Sequence, residues 1–268
     1  MKAPTMIWQG VGLTDIGRVR TTNQDAYLVN DELRLWIVAD GMGSHKHSGL
    51  ASQLAIEAIH TFLMGQVPSN TIADAHHWET LLRKAVIHAN DGIRSKCRDR
   101  PELSGMGTTV VLAFIPNPLS NEMYIAHAGD SRAYLLRGNT LTLLTRDHTL
   151  LEERVRDGLL PKDTPASHKL GHVLTKVVGI DTGVEADCSH LTLQKHDSII
   201  LCSDGLNKMM NDEEIRAALL SSREDTNRDS CHTLIEKANG LGGHDNVTVV
   251  VVQTERLTRK NHAQVSKT

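Results

Sequence analysis

Four aspartates in this chain stand where apolar runs end or begin, each beside a glycine or a turn. Asp40-Gly41 follows LRLWIVA, Gly129-Asp130 follows EMYIAHA, and Asp204-Gly205 follows SIILCS. Asp245-Asn246 comes just after Gly242-Gly243 and opens the run NVTVVVV. Asp and Gly are ordinary turn formers, and one such pair would signify only a bend in an antiparallel sheet. Four acids, each at the end of a strongly apolar strand with no basic residue beside it, point further. Converging carboxylates repel and raise one another's pKa unless a cation lies between them. Oxygen donors without His or Cys suit Mg²⁺, Mn²⁺ or Ca²⁺ rather than zinc or copper. Two such ions about 3.5–4 Å apart make a hydrolytic centre that activates a bridging water. The spacing supports a metal site and leaves the substrate open.

A second feature lies in GLTDIGRVRTTNQDAYLV, where Arg18 and Arg20 flank Val19 ahead of a polar turn. Arginine can grip a phosphate through two parallel N–H bonds, which lysine cannot. Most arginines are exposed and solvated, so neither residue alone identifies a phosphate site.

Elements that could position these acids follow from the patterning. Short strands are expected at 10–14, 26–30 and 34–39, the last a nearly continuous apolar run suited to a strand buried on both faces. Leu50, Leu54, Ile56, Ile59 and Leu63 mark a helical face over 48–64, and a second helix is expected over 77–96. GTTVVLAFIP, EMYIAHAGDS and SRAYLLRG read as consecutive antiparallel strands separated by turns at 116–118, 129–130 and 138–139. Short helices are expected at 150–157 and 170–178. DSIILCSDG repeats the pattern of a buried strand ending in acid. Asn211 with Glu214 reads as a capped helix start, followed by a helix over 228–241 and a final strand NVTVVVVQ. The whole suggests an α+β fold, one domain over 1–256 with two sheets and two helical layers, and a flexible polar tail at 257–268.

Composition excludes several classes. The 268 residues carry a formal net charge of −3 and 3% aromatics, without the basic or aromatic footprint of a nucleic-acid binder. Cys97, Cys188, Cys202 and Cys231 form no C-x-x-C pair, against a zinc knuckle or a disulfide scaffold. Cys202, next to Ser203-Asp204, lacks the surroundings of a cysteine-phosphatase nucleophile and reads as a core residue. The N-terminus has no apolar signal-peptide segment and no run approaches about 18 apolar residues, so a cytoplasmic protein without a membrane anchor is expected.

Taken in order, TDIGRVRTTNQDA, VADGMGSHKHSGLAS, GMGTTVV, AHAGDSRAY, LTRDHTL, ILCSDGL and GGHDNVTVVVV resemble the bacterial branch of the protein phosphatase 2C family, the metal-dependent protein phosphatases. The resemblance implies a four-layer α-β-β-α sandwich with metals at one end of the paired sheets. It implies that Asp40 bridges two Mn²⁺ or Mg²⁺ ions, that Gly41 gives its carbonyl to one, and that Asp204 and Asp245 complete the other. Asp130, with Asp204, matches the holder of a third, weaker ion. Asp25 matches an acid that orders water on the metals, and Arg20 a phosphate clamp; Arg18 has no equal claim. The implied reaction is direct hydrolysis of phosphoserine or phosphothreonine on proteins by a metal-activated water, reversing a Ser/Thr kinase. An inert phosphoprotein-binding or scaffold protein of the same fold is the alternative, and the retained Asp40, Asp204 and Asp245 speak against it. The chain departs from the family pattern at Ser44, where many members carry glycine. Met42 stands where animal relatives carry a histidine; His45 and His47 are nearby loop residues. The segment 159–179 corresponds to the family's variable flap and carries Lys162, His168, Lys169, His172 and Lys176.

Overall fold

Strands apolar on both faces need a layer on each side, and the fold supplies them. A computed structural model describes residues 6–43, 48–66, 73–165, 168–180, 182–222 and 227–254. Ser44, His45, His47 and the tail 257–268 lie outside the described residues. The strands are β1 (Trp8–Asp15), β2 (Asp25–Asn30), β3 (Leu35–Met42), β4 (Gly107–Thr108), β5 (Val110–Phe114), β6 (Glu122–Ala128), β7 (Arg132–Arg137), β8 (Thr140–Leu143), β9 (Asp187–Thr192), β10 (Ser198–Cys202) and β11 (Val247–Thr254). The helices are α1 (Ser48–Gln66), α2 (Ala75–Asp99), α3 (Leu150–Arg156), α4 (Asp204–Asn207), α5 (Asp212–Ser221) and α6 (Asn227–Gly240).

Two antiparallel sheets result. One runs β1-β11-β10-β7-β8, and the other β2-β3-β5-β6-β9 with β4 paired to the end of β3. Alternation along each strand divides the core into three layers. Trp36, Val38 and Val111 of one sheet meet Leu135, Leu201 and Val250 of the other. The residues between them face outward: Leu35, Ile37 and Leu112 pack with Ile59, Leu82 and Val86 of α1 and α2. On the far side Ile200, Cys202 and Val249 pack with Ile215, Leu234 and Ala238 of α5 and α6. The result is the expected α-β-β-α sandwich. Burial pushes the Cys202 thiol up to about 12, in keeping with a core residue. The cap of α5 is also as expected: Asn211 and Glu214 exchange side chain–backbone bonds in a capping box. Among the described residues no helix is long and apolar enough to cross a membrane.

Three expectations need correction. EMYIAHA and RAYLLR do not form a hairpin, because β6 and β7 lie in different sheets and the chain crosses between them at 129–131. Segment 170–178 holds only a 3₁₀ turn at Lys169–His172. Beyond it Leu174 bridges to Thr149 and Val178 to Thr108, so backbone groups a helix would have used are spent on neighbours. The run 107–116 is two strands broken at Thr109, and the edge strands β8 and β9 are additional to those expected: β8 (TLTL) alternates over only four residues and β9 (DCSHLT) is mostly polar.

Candidate metal centre

Asp40 sits where β3 changes partner. The strand pairs with β5 as far as Val38 and with β4 from Gly41 onward. Thr109, at the break, donates its N–H to the Asp40 carbonyl at 2.9 Å and accepts the Asp40 N–H on its hydroxyl at 3.1 Å. Gly41 is buried and donates its own N–H to the Gln24 carbonyl at 3.1 Å. Asp25 lies directly across the ladder from Asp40. Its Oδ2 accepts hydroxyl bonds from Ser203 and Thr248, both at 2.7 Å, and so ties the two sheets together.

Of the other three acids, Asp130 lies on the crossing between the two sheets, and Asp204 and Asp245 stand at the ends of strands in the opposite sheet. Asp130 follows Gly129, whose φ of 108° turns the chain out of β6 and across to β7. Asp204 follows β10 and opens α4. Gly205 packs so close to the turn before β11 that a Cβ there would lie 1.9 Å from the Asn246 carbonyl oxygen. That approach sets Asp204 beside Asp245. Asn246 anchors the Arg20 loop: it receives the Gln24 N–H at 2.9 Å and donates to the Ile16 and Thr22 carbonyls at 2.9 and 3.0 Å.

Asp40, Asp130, Asp204 and Asp245 thus line one cavity of about 210 Å³, with Arg20 and Lys208 on its wall. Burial raises the Asp40 pKa well above the usual carboxylate range, and Asp25, Asp204, Asp130 and Asp245 add repulsion. Asp130 is pushed up to about 8 by burial and then by Asp204. Asp25 is pushed up to about 6, mainly by burial, against the pull of its two hydroxyl donors.

A basic residue does stand beside these acids, contrary to expectation. Lys208, one helical turn after Asp204, pairs with Asp204 Oδ2 and reaches Asp245 Oδ2 at 3.5 Å. Arg20 does not project freely over the cleft; its Nε and a terminal nitrogen each bond an Asp245 oxygen at 2.9 Å. Arg18 lies apart, giving its backbone N–H to Gly243 at 2.7 Å. Among the described residues no three His, Cys, Asp or Glu side chains stand ready-made around an ion. The donor chemistry nevertheless fits hard divalent ions. All donors are oxygens, and Asp25 Oδ1 and Asp204 Oδ1 are buried without a hydrogen-bond partner. Unpartnered buried carboxylate oxygens are costly, and a cation is the group that relieves them.

Comparison with known proteins follows the same lines. The family model described as "Protein phosphatase 2C" matches residues 17–234. The chain belongs to the protein phosphatase 2C family. Serine/threonine phosphatase stp of Listeria monocytogenes serovar 1/2a is 36% identical over 252 residues, covering 92% of this chain and 96% of the relative. The crystal structure of the Mycobacterium tuberculosis serine/threonine phosphatase PstP/Ppp superposes with a TM-score of 0.80 at 32% identity, over 94% of this chain and all of the other. The catalytic domain of PstP in complex with two manganese ions matches at a TM-score of 0.76 and 32% identity, again over 94% and 100% of the two chains.

Within this protein phosphatase 2C fold, sequence reasoning missed Lys208, Asn246 and the Ser203–Thr248 pair. Thr248 did leave a signal, as the lone polar residue inside VTVVVV. His172 and Leu174 bring segment 159–179 to the same cavity wall, whereas Lys176 turns to Asp187 at 2.6 Å.

Proposed function

We propose that this protein is a Mn²⁺- or Mg²⁺-dependent phosphatase acting on phosphoserine and phosphothreonine in proteins, with a single catalytic domain over 1–256. One observation carries the reading: five acids from both sheets meet at one seam, with two buried carboxylate oxygens left unpartnered. Asp40, the Gly41 carbonyl, Asp204 and Asp245 are the residues to hold two ions. When bound, the ions supply an activated water and neutralise charge on the phosphoryl oxygens. Asp25, fixed by Ser203 and Thr248 through Oδ2, keeps Oδ1 to orient a water. Asp130 stands next to Asp204 as the acid of an outer corner. Arg20, whose side chain is half-exposed at the mouth of the cavity, would exchange its Asp245 partner to give its paired N–H groups to a substrate phosphate. The substrates in view are the targets of a Ser/Thr kinase, met in the cytoplasm, and the kinship with named Ser/Thr phosphatases supports that choice.

The test is hydrolysis of a phosphothreonine peptide after chelation, with Mn²⁺ restored, beside Asp204→Asn. Wild type regains activity with Mn²⁺, and the variant falls by about 100-fold or more, as expected for loss of a charge-stabilising group. Inertness of metal-loaded wild type on several phosphopeptides would overturn the proposal in favour of phosphoprotein binding without catalysis.

A further inference from the structure

We propose that Lys208 is a built-in cation of the centre: its ammonium fills the corner bounded by Asp204, Asp245 and Asp130, so that the site takes two divalent ions and no third. The inference rests on the metal-centre reading above and concerns how many ions this chain can hold.

The observation begins with Asp204, whose two oxygens have different surroundings. Oδ1 is buried and has no hydrogen-bond partner, so it remains available to an ion. Oδ2 is taken by the Lys208 ammonium. The same ammonium lies 3.5 Å from Asp245 Oδ2, so it spans two of the acids. Its placement is set by the backbone. Lys208 lies one turn after Asp204, and its N–H is bonded to the Asp204 carbonyl at 2.8 Å. At that spacing the two side chains share one face of the turn.

Lys208 also has a defined place in space. It stands between the cavity of about 210 Å³ that holds Asp40 and a neighbouring one of about 320 Å³ lined by Arg132, Asp147 and Met209. Asp130 and Asp204 line both cavities, so the lysine occupies their common wall. Its side chain is two-thirds covered. The other nearby cation, Arg20, is committed to Asp245.

Exclusion follows from distance. A Mg²⁺ ion requires carboxylate oxygens at about 2.0–2.1 Å. An ion at that range on the lone pair of Asp204 Oδ2 that faces Lys208 would overlap the ammonium nitrogen, and one on the other lone pair would meet its charge at close range. An ion on the Oδ1 side leaves the lysine where it is. Lysine therefore converts a corner that could take a third ion into a fixed single charge.

The test counts ions directly. Mn²⁺ is titrated into chelator-stripped wild type, Lys208→Met, Lys208→Gln and Lys208→Arg, and bound ions are counted by electron paramagnetic resonance. Thermal melts in chelator establish that each variant is folded. The expected result is two ions for wild type and Lys208→Arg, and a third, weaker ion for a folded Met or Gln variant. Three ions in wild type, or two in both neutral variants, would overturn the proposal. No bound ion in wild type would instead sink the metal-centre reading, and this inference with it.

Discussion

Gly205 offers the sharpest test of how the centre is positioned. An alanine Cβ at this position would lie 1.9 Å from the Asn246 carbonyl oxygen, where real Cβ contacts are essentially never under 3.0 Å. The start of α4 and the turn before β11 must therefore part by about 1.1 Å. The obstacle is backbone, so no side chain can rotate away. Nor can the turn recede freely, because Asn246 is bonded to the loop that carries Arg20. Overpacking of this kind costs about 1–3 kcal/mol. For a chain of this size that predicts a melting temperature lower by roughly 2–12 °C. Asp204 and Asp245 flank the contact, and a displacement of about 1 Å at a reacting centre can cost about 100-fold in rate. The assay pairs thermal melts with phosphothreonine-peptide hydrolysis in Mn²⁺. Gly92→Ala is the control: this exposed residue of α2 has nothing within 4 Å of an added Cβ. There alanine should stabilise by about 0.5–1 kcal/mol and leave activity intact. If Gly205→Ala melts and turns over like wild type, the close approach does not set the Asp204–Asp245 geometry and the reasoning fails.

Two further outcomes are expected. Thr248→Val keeps the shape of the strand but removes the hydroxyl bonded to Asp25 Oδ2 and to Thr14, both at 2.7 Å; urea denaturation should show a loss of about 1.5–3 kcal/mol, as for other bonds to a charged group, and a loss under 0.5 kcal/mol would refute the link between sheets. Acid should weaken the fold through His148. Burial, then His127 and Lys176, hold its pKa down at about 4, so below the unfolded value of about 6.5 the unfolded chain binds the extra proton and stability falls toward pH 4. Burial works against the Asp187 carboxyl, but Lys176 and His148 hold it down at about 2, which extends the loss to lower pH. Subtracting the stability of His148→Asn at each pH isolates the histidine from Asp25 and Asp130, whose raised values act in the opposite direction. The difference should shrink from pH 7 to pH 4.5, and a constant difference would contradict the assignment.

The sequence carried most of this fold wherever burial is one-sided or complete. LRLWIVAD, SIILC and NVTVVVV are apolar on consecutive positions because both faces are covered, and their boundaries were legible to within a few residues. The Gly129-Asp130 turn was legible as a turn but not as a crossing, since a glycine at positive φ serves a hairpin and a change of sheet equally. Leu170, Val173, Leu174, Val177 and Val178 have helical spacing, yet bridges to Thr149 and Thr108 overrode it. The acids of the cavity were all picked out in advance, by apolar context and by resemblance. Their pairing with counter-charges was not: Arg20 was legible only as a phosphate clamp, and Lys208 not at all. Arg20 meets an acid 225 residues away, and Lys208 is four residues from Asp204 in sequence but adjacent only once the turn forms.

The pairing of β1 with β11 bears on how the protein is made. The second of these strands lies between β1 and β10, joining Trp8–Asp15 to residues more than 230 positions later. Such long-range pairing is slow to form because a long loop must close first. A ribosome extrudes Asp25 and Asp40 early, but Asp245 and Thr248 only after the ten other described strands. Until those two residues emerge the centre is incomplete and the nascent chain is silent. Its ability to act on a phosphoprotein arises in one step, when the last strand slots into the sheet.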